Sequence, residues 1–67
     1  MASLDSLNDL LTEAARLLDE ASSQVRDLQL NPEQNIRKIG EALANISEVR
    51  LQVYAQRPDL APKYLKK

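Results

Sequence analysis

Apolar residues recur along the first part of the chain at alternating steps of three and four: Leu4, Leu7, Leu11, Ala14, Leu18, Ala21, Val25 and Leu28. That spacing holds one register from end to end and predicts a single long helix with a packing seam. Leu10 and Leu17 flank the seam and widen it. The stripe is then broader than a two-stranded coiled coil needs, and it suits a helix that touches two neighbours. Ser3 or Ser6 can cap the start, and Asp5 and Asp9 sit where the helix dipole favours anions.

The pattern breaks at Gln29-Leu30-Asn31-Pro32. Asn31 is a good N-cap, and Pro32 suits a first helical position, where a missing N–H costs nothing. Gln34 follows Asn31 at the spacing of a capping box. A second apolar series then runs Ile36, Ile39, Leu43, Ile46 and Val53, with Arg50 at one seam position and Ala42 and Val49 alongside. Pro58 disfavours helix at the residue before it. The expected organisation is a hairpin over 1–57, with a helix at about 4–29, a turn at about 29–31 and a helix at about 32–57. A proline-containing tail follows over 58–67.

So short a connection makes the two helices antiparallel neighbours. Folding about it pairs residues whose numbers sum to about 60 or 61. Val25 then meets Ile36, Ala21 meets Ile39, Leu18 meets Leu43, Ala14 meets Ile46 and Leu7 meets Val53. Leu18 and Leu43 are expected to be fully buried at the centre. Arg50 has two readings: a buried pair with Asp9 or Glu13, or, preferred, a stem on the apolar face with its head in solvent. Gly40, Ala44 and Ser47 form a small-residue strip that either receives a close neighbour or is plain surface.

Composition narrows the chemistry. The chain has 67 residues, no cysteine and no histidine. Disulfides, thiolate metal sites and the commonest general base are excluded. No cofactor is expected, and no metal. The carboxylate pairs Asp9/Glu13 and Asp19/Glu20 read better as a solvated helix face than as acid–base machinery, so an enzyme is not expected. Asn45-Ile46-Ser47 matches a glycosylation sequon but falls inside a helix and reads as chance. No apolar run reaches the roughly 20 residues of a membrane span. Without a basic, apolar leader at the start, a cytoplasmic address is the default.

Net charge is −1, but it is unevenly placed. Residues 1–30 carry six acids against Arg16 and Arg26, whereas residues 31–67 carry seven bases against four acids. The bases make a nucleic-acid-associated regulator the alternative reading. The negative total and the lack of a helix-turn-helix pattern make nucleic acid an unlikely partner. Lys63, Lys66 and Lys67 serve as a solubilising end.

A chain this short has a thin core and commonly needs a staple. With metals and disulfides gone, oligomerisation remains. Two helices share one interface, which leaves Leu10, Leu17, Ala42, Val49 and Leu51 partly wet. Leu60, Tyr64 and Leu65 are apolar anchors in the tail. The tail is expected to fold over the open end of the hairpin near Leu4 and Leu7, the rival being a free peptide hook for another protein. The sequence thus predicts an all-α hairpin that pairs into a homodimeric four-helix bundle. Its function would be protein binding, as a small adaptor, regulatory subunit or chaperone-like binder.

Overall fold

The computed structural model describes residues 2–62. Helix α1 spans Leu4–Asp27 and helix α2 spans Pro32–Gln56, followed by a single 3₁₀ turn at Pro58–Leu60. No strand occurs among the described residues. Ser3 caps α1: its hydroxyl oxygen accepts from the Ser6 amide at 3.0 Å, satisfying one of the helix's orphan donors. Asp5 lies in the first turn and Arg26 in the last, each on the end whose dipole it complements.

The turn is more specific than a short loop. Gln29 has a positive φ of 55°, the Leu30 amide donates back to the Val25 carbonyl at 3.1 Å, and the Gln29 amide donates to Arg26 at 3.2 Å. These bonds make a Schellman ending, with glutamine where glycine is usual. Asn31 is also left-handed, at φ 43°. It precedes α2 as expected, but the capping box does not form. The Asn31 side-chain amide instead donates to the Gln34 side chain at 2.9 Å, and Asn31 makes no side-chain cap bond. A left-handed backbone turns the side chain away from the amides that an extended cap residue would serve. The carbonyl of Leu30 is taken by the Asn35 side chain at 2.7 Å.

Register follows from burial. On α1 the half-buried residues are Leu4, Asn8, Leu11, Ala14, Ala15, Leu18, Ser22 and Val25, whereas Leu7, Ala21 and Leu28 are exposed. The seam is therefore Leu4-Asn8-Leu11-Ala15-Leu18-Ser22-Val25, which shares every second member with the expected stripe and replaces the others. On α2 it is Ile36-Ile39-Leu43-Ile46-Arg50-Val53, as expected. At the open end an Arg57 guanidinium nitrogen donates to Asp5 at 3.3 Å, which fixes the level of one helix against the other. Pairs that sum to 61 then place Ser22 rather than Ala21 opposite Ile39, Ala15 rather than Ala14 opposite Ile46, and Asn8 rather than Leu7 opposite Val53. Small residues still face large ones, which lets the helices interdigitate.

The core differs from expectation in one respect. Leu18 and Leu43 are half-buried, not fully buried, because two helices cannot enclose a side chain from all sides. Among the described residues the buried one is Val53, 3% exposed, near the open end. The 3₁₀ turn packs against α2 there, and Leu60, Ala61 and Pro62 are half-buried. The described part of the tail is therefore packed on the end of α2. Tyr64 and Leu65 lie outside the described residues. In the same region Asn8 Oδ1 is buried and accepts no hydrogen bond from the described residues.

Candidate interaction surface

The shift of seam has a consequence for the molecule's two broad sides. Leu7, Ala14 and Ala21 each precede a seam residue on α1, and Asn35, Ala42 and Val49 do so on α2. In an antiparallel helix pair these two flanks border the same side. Ala14, Asn35 and Ala42 are half-buried there, and Leu7, Ala21 and Val49 are exposed. On the opposite flank Thr12, Asp19, Gly40 and Ser47 are all exposed and make a polar side.

On this side the α1 positions are consequently apolar, while α2 adds Ala42 and Val49 beside the polar Asn35, Lys38, Asn45 and Gln52. Leu7, Leu10, Ala14, Leu17, Ala21 and Leu28 run along α1 with steps that again alternate three and four up to Ala21, and Ala42 and Val49 stand beside them on α2. Leu10 is 66% exposed, Leu17 51% and Leu28 73%. The molecule is 16 Å in its smallest dimension, about one helix with its side chains, so no second layer covers them. Four of the expected surface residues, Leu10, Leu17, Ala42 and Val49, thus share one face. Leu51, also exposed, follows Arg50 on the other flank of α2 and stands apart. Leu60 lies in the 3₁₀ turn beside α2, half-buried.

Charge borders this face on the α1 side. Arg16 bonds the Glu13 carboxylate through two nitrogens and reaches Glu20 at 3.5 Å, forming a trio along the outer edge. The hydrogen bond from Arg16 holds the Glu13 carboxyl below its ordinary range and, in return, holds Arg16 above its own. The pair is solvent-exposed, so it contributes little to stability.

Two further cations, Arg57 and Arg50, are engaged within the chain. Arg57 bonds Asp59 through two nitrogens at 2.8 and 2.9 Å and also reaches Asp5, which raises its pKa, with the Asp59 bonds foremost. Arg50 turns to Tyr54 rather than to Asp9 or Glu13. Its Nε donates to the Tyr54 hydroxyl at 2.9 Å, and its guanidinium carbon lies 5.8 Å from the ring centroid. Arg50 is half-buried on the seam, but its head, which the preferred sequence reading placed in solvent, is held by Tyr54.

Gly40 makes no close approach: a Cβ built on it meets nothing within 4 Å. No cluster of acids able to hold a metal occurs among the described residues, and no helix is long and apolar enough to cross a membrane. No protein-family model, no curated protein and no solved structure matches the chain.

Proposed function

We propose that this chain is a non-enzymatic protein-interaction module, a self-associating hairpin that acts as a small adaptor, regulatory subunit or chaperone-like binder. One observation carries the reading: the apolar residues of α1 that the hairpin does not use are gathered on one side, in helical register, next to Ala42 and Val49. Scattered exposed leucines are ordinary on a surface, but a contiguous apolar face with a polar border marks an interaction site. The engagement of Arg50 and Arg57 within the chain leaves fewer cations for phosphate, which favours protein over nucleic acid as the partner.

Sedimentation equilibrium at micromolar concentration tests it. The expected species is a dimer or larger. A chain that stays monomeric at high micromolar concentration would refute the self-association at the centre of the proposal.

A further inference from the structure

The exposed stripe of α1 nearly reads the same in both directions. From Leu7 it runs Leu10, Ala14, Leu17, Ala21, Gln24 and Leu28. Taken antiparallel about Leu17, Leu7 falls opposite Leu28, Ala14 opposite Ala21, and Leu10 opposite Gln24. These pairings agree on one centre to within a residue, about 1.5 Å along the axis. A stripe that matches its own reversal is what an isologous two-fold contact requires.

From this we infer that the apolar face is covered by the same face of a second copy, with α1 lying antiparallel on α1 and the two turns at opposite ends of a four-helix bundle. The inference rests on the self-association proposed above and adds its surface and its orientation.

Area supports a second copy as the occupant. The chain exposes 5323 Å². A compact monomer of 7.5 kDa exposes about 4,200 Å², so the excess is about 1,100 Å². A standard interface removes about 800 Å² from each partner, which is within that excess. Ala14 and Ala21 face one another next to the two-fold and allow helix axes to approach to about 8 Å. Leu17 sits on the axis itself.

Charge fits the same centre. The Glu13–Arg16–Glu20 trio is level with Leu17, so the two-fold brings the two trios side by side along one edge. Each arginine then lies among the acids of both copies, which offsets their repulsion. The rival arrangement keeps both turns at one end and stacks α1 on the second copy's α2. It sets Glu13 level with Glu48 and Glu20 level with Glu41, so that each contact gathers four acids around a single Arg16, whereas the two-fold about Leu17 brings two arginines to four acids.

The chain has no cysteine, so single cysteines report the arrangement directly. Leu17→Cys, oxidised as the full chain, is expected to link to itself in high yield, since near a close-packed two-fold the Cα separation falls in the disulfide range. Ala14→Cys mixed with Ala21→Cys is expected to give the heterodimeric link well above either alone. A dominant link between Ala21→Cys and Ala42→Cys, with none at Leu17→Cys, would overturn the orientation while leaving self-association intact. Leu17→Glu is expected to weaken the dimer at least a hundred-fold while keeping helical circular dichroism at high concentration. A dimer unaffected by Leu17→Glu would overturn the surface. A wild-type monomer would remove this inference together with the reading beneath it, so the failures are distinguishable.

Discussion

Gln29 and Gly40 hold each other's preferred places. Gln29 occupies a left-handed position at the end of α1, which costs a side chain with a Cβ about 1 kcal/mol. Gly40 lies inside α2, where glycine is about 1 kcal/mol worse than alanine, and a Cβ there meets open space. Gln29→Gly and Gly40→Ala are therefore each expected to raise stability by about 0.5–1 kcal/mol, measured as the midpoint of urea unfolding. The Gln29 side chain also donates to the Arg26 carbonyl at 3.1 Å, and losing that bond places its gain at the lower end. A fall in the midpoint for Gly40→Ala would mean that a neighbouring surface occupies the space beside it. Since Gly40 lies on the polar side, that result would also count against the apolar face as the sole contact. The exposed pair at Glu13 works in the other direction with acid. Its carboxyl is held low when folded, so its small contribution is present above the ordinary value of 4.5 and is lost as pH falls through the folded value.

Among the elements, both helices and the turn were legible because their signals are local. Ser3, Pro32 and Pro58 punctuate the chain, and the observed ends fall within a residue or two of those expected. The seam of α1 was not legible. Leu4, Leu11, Leu18 and Val25 belong to two heptads at once. One adds Leu7, Ala14 and Ala21, and the other adds Asn8, Ala15 and Ser22. Hydrophobicity favours the first, and the hairpin uses the second. Periodicity locates the centre of an apolar stripe but does not say which edge the neighbouring helix covers. Facing α1 are Ile39, Ile46 and Val53 of α2, large residues that fit against Ser22, Ala15 and Asn8. The same ambiguity hid the one-sided face, which appears only once the leucines are seen to lie outside the seam. Pro58 and Leu60 made legible only that the chain leaves the helix there, and the 3₁₀ turn packs on the end of α2. With Val53 the most buried residue and the 3₁₀ turn packed on α2, removing the tail exposes the best-packed point of the fold. Truncation after Arg57 is expected to lower the urea midpoint by the equivalent of about 1–3 kcal/mol, since it uncovers Val53, removes Leu60 and deletes the Asp59 partner of Arg57. Val53→Ala in the full chain is expected to cost about 2 kcal/mol, close to the burial of its two methyl carbons plus a small cavity. A truncated chain with an unchanged midpoint would assign the tail to a partner instead of to the hairpin.

For the whole molecule, the decisive quantity is how stability depends on concentration. Among the described residues one hairpin half-buries its seam leucines, leaves the others exposed and buries one valine, which is little to set against the ordering of 67 residues. A second copy changes that balance because it binds the folded chain and not the unfolded one, so the folded state gains with concentration by mass action. The size of the effect follows from typical unfolding enthalpies of about 0.7 kcal/mol per residue near 60 °C, which give about 90 kcal/mol for two chains melting together. A hundred-fold rise in concentration contributes about 2.7 kcal/mol to the apparent stability of the dimer. Divided by the corresponding entropy of unfolding, that shifts the melting temperature upward by about 10 °C. Calorimetry or circular dichroism at about 5 and 500 µM measures it directly. Leu17→Glu is expected to abolish most of the shift and to melt near a single, lower temperature at both concentrations, because its charge falls where the two copies meet. A wild-type melt that is cooperative and independent of concentration would mean that the hairpin and its tail are sufficient alone, and the exposed leucines of α1 would then have to answer to a different partner.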